Sequence, residues 1–125
     1  MVNLLTKELK KRFAKVGSQD GKGDGAIVVV KFFDPCGSWT WLATEAYAAL
    51  DDGTEIPLDQ MEGMTVEDVI FFGFVVGQFP EWGSFSKREL EKYKGPLGLG
   101  IERDLYWTEK TVKEALSEIG ASVSG

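Results

Sequence analysis

The stretch Val69-Ile-Phe-Phe-Gly-Phe-Val-Val76 carries no polar side chain at any position. A strand with one wet face alternates apolar and polar residues, so a run apolar at both parities belongs inside a sheet, covered on both sides or largely so. Extended back to Val66, it predicts a strand and is too short to cross a membrane as a helix. Gly73 within it marks a bulge or a close approach of another segment. A second run, Ala26-Ile-Val-Val-Val-Lys-Phe-Phe33, is dominated by β-branched and aromatic residues and predicts another strand. Asp34-Pro35-Cys36-Gly37-Ser38 follows with turn chemistry, and Trp39 to Glu45 returns as the second arm of a hairpin. Alternation puts Trp39, Trp41 and Ala43 on one face of that arm and Thr40, Leu42 and Thr44 on the other. Cys36 then lies at the hairpin tip, with no base or helix N-terminus nearby to activate its thiol.

Helices flank this sheet. Leu5, Leu9, Phe13 and Val16 recur at helical spacing over residues 4–16, with Thr6 as N-cap and Gly17 past the end. The opposite face, Lys7, Lys10, Lys11 and Lys15, reads as solvated. Residues 17–25 hold four glycines and read as a mobile loop; a phosphate-binding loop is excluded, since no strand precedes it and no Gly-Lys-Ser/Thr closes it. Ser86-Lys87-Arg88-Glu89 is a capping box for a helix reaching Tyr93–Lys94, with Leu90 and Tyr93 inward and Gly95-Pro96 ending it. After an extended stretch from Ile101 to Trp107, Thr108 or Thr111 starts a last helix buried through Val112, Ala115, Leu116 and Ile119 and stopped at Gly120.

Residues 46–66 leave two readings. Asp51-Asp52-Gly53-Thr54 turns between Ala46–Leu50 and Glu55–Leu58 as a small hairpin, or Ala46–Leu50 forms one turn of helix. Gly77-Gln78-Phe79-Pro80 then turns the chain into a short edge strand over Glu81–Phe85. The pattern predicts one domain over residues 1–125, of α+β class: an antiparallel sheet of four to five strands with about three helices packed on it.

Composition narrows the chemistry. Histidine is absent and Cys36 is the one cysteine, which excludes Ser-His-Asp and Cys-His catalysis, imidazole-ligated zinc and any internal disulfide. The start of the chain has no apolar signal core, and a reducing, cytoplasmic setting is the expectation. Fourteen basic residues divide between positions 1–31 and the segment from Lys87 onward; Phe32 to Ser86 has none. That middle segment carries Asp34, Glu45, Asp51, Asp52, Glu55, Asp59, Glu62, Glu67, Asp68 and Glu81. A pI of about 4.7 disfavours nonspecific nucleic-acid binding, so stacking of a single strand on Trp39 and Trp41 is the weakest option. The favoured reading is a non-enzymatic protein whose central carboxylates, Glu45, Asp51, Asp52, Glu55 and Asp59, form one negative face. That face would dock a basic protein partner, with Trp39 and Trp41 as anchors. The alternative is a small carboxylate/Arg enzyme or anion-binding protein, in which Glu102, Arg103 and Asp104, beside Gly98 and Gly100, act with Glu45. No cofactor is implied. Asp51 to Glu62 fails as a calcium loop, because Gly53 occupies a ligand position and Ile56 the position of the turn glycine.

Several ordered segments carry a resemblance. Val29-Val-Lys-Phe-Phe33, Trp39-Thr-Trp41, Ala43-Thr-Glu45, Phe71-Phe-Gly-Phe-Val75, Glu81-Trp-Gly-Ser-Phe-Ser-Lys-Arg-Glu-Leu90 and Gly95-Pro-Leu-Gly-Leu-Gly-Ile-Glu-Arg-Asp104 resemble an uncharacterised bacterial family. Its short acidic members, common on plasmids and other mobile elements, are classified only as a domain of unknown function. The likeness spans Leu4 to Leu116, with residues 47–67 departing most. It implies a mobile-gene setting and brings no activity, cofactor or catalytic residue.

Overall fold

The structure, a computed structural model, describes residues 3–120. Helix α1 (Lys7–Val16) is capped by Thr6, whose side chain accepts from the Leu9 amide. Strands β1 (Ile27–Val28), β2 (Val30–Phe33) and β3 (Thr40–Leu50) follow, then β4 (Glu55–Pro57), β5 (Val66–Val76) and β6 (Pro80–Ser86). Helix α2 (Lys87–Lys92), the short strands β7 (Glu102–Arg103) and β8 (Lys110–Thr111), and helix α3 (Val112–Glu118) complete the chain. The fold is α+β, but the strand count exceeds expectation: six strands in one antiparallel sheet and two, β1 and β8, in another. The extra members are pairs or triplets of residues too short to show a period of their own.

The 11-residue strands β3 and β5 run side by side from Thr40↔Val76 to Leu50↔Val66 and form the spine of the sheet. This resolves residues 46–58 in favour of the hairpin, since Tyr47, Ala48 and Ala49 pair with Pro57, Ile56 and Glu55. On its other side β3 is flanked by β2 along its first part, up to Ala43, and by β4 only from Tyr47. The gap between them is filled by Gln19. Its Nε2 donates to the carbonyls of Thr44 (2.8 Å) and Ile27 (2.7 Å), and its Oε1 accepts from the Ile27 amide (2.7 Å). A side-chain amide thereby takes the place of a peptide group in the ladder, and Gln19 is buried.

The first face of the sheet carries the larger core. Phe71 packs edge-on against Phe32 (5.3 Å between ring centroids), stacks on Phe85 (5.4 Å) and meets Phe13 of α1 (5.9 Å). Leu90 of α2 and Leu58 of the turn after β4 join the same cluster. Each such fully buried side chain contributes about 1.5–3 kcal/mol. On the second face, α3 and β1 cover Leu42 and Phe74 with Val28, Val112, Ala115 and Leu116. Before Phe74 in the strand this cover stops. Phe72 is 38% exposed, so β5 is enclosed on both faces over only part of its length. The apolar run reads as covered on both sides because sequence carries no record of how far a seven-residue helix reaches.

Three local expectations change. The Ser86 side chain accepts from the Glu89 amide (3.0 Å), yet the reciprocal bond that completes a capping box is made at Thr111 and Glu114 instead. Only Glu102–Arg103 of the stretch expected to be extended is a strand, paired with Phe33 and Phe32. Asp104 then turns the chain, accepting from the Tyr106 amide (3.0 Å), and the Trp107 indole is left to donate to the Val28 carbonyl (2.9 Å). Among the described residues no helix is long and apolar enough to cross a membrane.

Candidate functional site

The central carboxylates do not form one continuous face. Their positions follow from the strands that carry them. Asp34 and Glu45 are internal, at 4% and 9% exposure. Asp34 accepts from the Cys36 amide (3.0 Å) and the Tyr93 hydroxyl (2.9 Å), and Gly37 and Gly95 press against its carboxylate. Burial, then the bond to Asp34, raises the Tyr93 phenol above its ordinary value. Glu81 lies at the end of the sheet opposite the β3–β4 hairpin, because it pairs with Val75, which faces Trp41 near the start of β3.

The remainder gathers at the hairpin end. Asp51, Asp52 and Glu55 are exposed in and beside the turn between β3 and β4, and Asp59 is exposed in the turn that follows β4. Glu62 follows in the connection to β5, and Glu67 is the second residue of that strand, whose first residue, Val66, is level with Leu50. Met64 (53% exposed) and Val66 (36%) lie between these two carboxylates in the chain. Not all the acids here are free. Asp52 Oδ1 accepts from the Thr54 amide (3.0 Å) and hydroxyl (2.7 Å), bonds that fix the turn and hold its carboxyl below the usual range. Asp68 Oδ1 accepts from the amides of Val69 (2.8 Å) and Arg88 (3.1 Å). Glu67 and Asp68 also line a cleft of about 490 Å³ with Lys10, Lys87 and Arg88, so that flank is electrostatically mixed. The four ion pairs among the described residues are Arg12–Glu109, Lys31–Asp104, Lys87–Glu91 and Lys110–Glu118. None uses a carboxylate from the segment 32–86.

The two tryptophans separate. Trp41 is 6% exposed, stacked on Trp39 (5.8 Å) and edge-on to Tyr93 (5.6 Å), so it is a core residue and offers no surface anchor. Trp39 is 37% exposed at the end of the sheet away from the acidic hairpin. Parity of spacing places both on one face of the strand; it does not show that this face is covered at Trp41 and opens to water at Trp39.

The alternative constellation is dispersed. Glu102 lines a cleft with Leu4, Leu90, Lys94 and Leu99. Arg103 turns its guanidinium to the Asn3 carbonyl (2.8 Å), and Asp104 faces Lys31 (3.9 Å). Glu45 opens on a different recess, formed with Gln19, Asp20, Phe72 and Trp82. Acid, base and guanidinium thus have no common cleft.

Glu45 owes its position to a β-bulge. The ladder runs Ala43↔Gly73 and then Glu45↔Phe72, leaving Thr44 as the extra residue, its hydroxyl donating to the Phe72 carbonyl (3.1 Å). A one-residue slip exchanges the faces of a strand. Simple alternation would point Glu45 into the apolar cluster with Ala43 and Trp41; the bulge turns it to the second face, level with Phe72. There its carboxylate accepts from the Gln19 amide (3.1 Å) and the Tyr47 hydroxyl (2.6 Å). Burial first, then this bond and the Glu45 charge, push the Tyr47 phenol up to about 12. Reading the strand alone missed this cluster; the one available signal was a carboxylate at the wrong parity.

Comparison with known proteins agrees with the resemblance at the level of family. The model of a family described as "Protein of unknown function (DUF2958)" matches residues 4–120. The chain belongs to that family. No curated protein and no solved structure gives a match. The family description assigns no activity.

Proposed function

We propose that the chain is a non-catalytic accessory protein of a mobile element that docks a basic protein partner through the β3–β4 hairpin end. The observation that carries this reading is the unpaired state of the exposed carboxylates there: Asp51, Glu55 and Asp59 enter none of the four ion pairs among the described residues. Exposed like charges repel one another and gain nothing for the isolated fold, whereas a cationic surface brought against them would be steered and held. Met64, before β5, and Val66, its first residue, supply exposed apolar area at the same end of the sheet, as interface centres do.

The test is retention of basic proteins on the immobilised chain, compared with a D51N/E55Q/D59N variant. Retention by the parent chain should fall steeply between about 0.1 and 1 M salt, where the Debye length shrinks from about 10 to about 3 Å. The variant should retain much less at low salt. Equal retention by both, or indifference to salt, counts against the proposal.

A further inference from the structure

The open half of the second sheet face holds a recess of about 350 Å³, lined by Gln19, Asp20, Gly21, Thr44, Glu45, Phe72 and Trp82 among others. That volume is at the small end for ligand sites and suits a single side chain. Its chemistry is specific. One wall is an aromatic surface: Phe72 and Trp82 stack nearly parallel, with centroids 5.9 Å apart and planes at 13°. Phe74 braces the indole edge-on at 5.3 Å, which fixes its plane. Glu45, nine-tenths buried, is set beside that surface by the bulge. Its two oxygens take one neutral donor each, the Gln19 N–H and the Tyr47 O–H, and no lysine or arginine lies among the lining residues. A buried carboxylate is ordinarily paired with a cation. Among the described residues none supplies that cation, and the Phe72–Trp82 pair lines the recess beside the carboxylate.

We propose that this recess receives an arginine side chain of a protein partner. A guanidinium is planar, so it can lie on the Phe72–Trp82 surface while its N–H groups reach the free lone pairs of Glu45 and, at the rim, Asp20. An ammonium has a point charge and no plane, so lysine meets only half of the site. Anions are repelled by Glu45 and Asp20, and a neutral aromatic ligand would leave the carboxylate without its counter-charge. The inference rests on the basic-partner reading for the source of the arginine. The two surfaces are distinct, however, and either can fail alone.

The experiment is a titration of the whole chain with Nα-acetyl-arginine methylamide, followed by amide and indole NMR signals, with the lysine analogue and equimolar sodium chloride as controls. Expected are saturable shifts confined to the Trp82 indole and the amides of Gln19, Gly21 and Phe72. The lysine analogue should bind about fivefold more weakly, because an ammonium keeps the cation–π attraction but lacks the planar stacking and the paired N–H groups of a guanidinium. Glu45→Gln keeps an acceptor for Tyr47 and should lose the arginine shifts. Phe72→Thr, at an exposed strand position, tests the aromatic wall independently should the first variant fold poorly. The D51N/E55Q/D59N variant should bind the arginine probe as the parent does, so failure of hairpin docking and failure of this site give different results. Absence of localised shifts, equal response to lysine, or shifts that persist in both Glu45→Gln and Phe72→Thr would overturn the proposal.

Discussion

The hydroxyl of Tyr47 donates to Glu45 Oε1 at 2.6 Å, two residues along the same face of β3. The phenol is held protonated because burial and the neighbouring carboxylate both oppose a second negative charge, which moves its titration from the ordinary 10.0 up to about 12. The sign of the linkage follows. The folded state holds this proton more tightly than the unfolded chain, so the contribution is fully present below the ordinary value and is lost as pH rises through the folded one. Between those two values the parent chain should lose stability that a Tyr47→Phe variant does not lose. The difference should be about 1 kcal/mol once solvent screening of a half-buried group is allowed for. Urea denaturation of both proteins at stepped alkaline pH measures it, and parallel curves would remove the coupling.

Gln19 makes the opposite kind of prediction, about a residue that looks dispensable. It sits in a glycine-rich stretch where sequence gives no reason to expect burial, yet its amide bridges Ile27 of β1 and Thr44 of β3. Gln19→Ala leaves two carbonyls and one amide short of partners and should cost about 2–3 kcal/mol. The midpoint of urea unfolding should fall with little change in slope. A variant as stable as the parent would mean that water replaces the amide.

Gly73 shows where sequence reasoning reached the right residue by an incomplete route. A glycine inside an apolar strand suggested a bulge or a close approach, and both occur: the bulge is on the partner strand at Thr44, and Gly73 lies against the Leu42 carbonyl. A Cβ at Gly73 would run into that carbonyl, so Gly73→Ala should destabilise by at least about 2 kcal/mol. Gly83 faces Gly73 across the β5–β6 ladder, but nothing lies within 4 Å of where its Cβ would be. Gly83→Ala should therefore change stability by less than about 0.5 kcal/mol. Thermal unfolding of the two variants side by side decides this, and equal losses would refute the packing argument.

Local pattern sufficed wherever one element determines its own contacts. Phe13, Leu90, Val112 and Leu116 were placed inward by period alone, and all are buried. Pattern failed where the outcome depends on a second segment. Ala46–Leu50 has no strand signature of its own and becomes one by pairing with β5 on one side and β4 on the other. Glu45 appeared among the surface acids because charge is visible in sequence and a bulge is not. The same blindness made ten carboxylates look like one field, although pairing distributes them between the interior and both ends of the sheet.

That distribution sharpens the last prediction, because the hairpin acids are not equivalent. Asp52 and Asp68 hold backbone amides, so Asp52→Ala and Asp68→Ala should disturb the turn and the β5–α2 junction as well as removing charge, whereas the Asn variants keep the accepting oxygen. Among the described residues, Asp51, Glu55 and Asp59 make no side-chain hydrogen bond or ion pair, so their neutralisation should leave thermal unfolding unchanged or slightly improved by relief of like-charge repulsion. On docking, the effect should appear mainly in association rate. Losing three of the exposed negative charges should slow encounter with a cationic protein at low salt, and the difference from the parent should vanish as salt rises toward about 1 M. Stopped-flow or surface-plasmon association rates at stepped ionic strength provide the measurement. If the D51N/E55Q/D59N variant instead dissociates faster while associating at the parent rate, these side chains make close contacts in the complex and the steering argument is wrong.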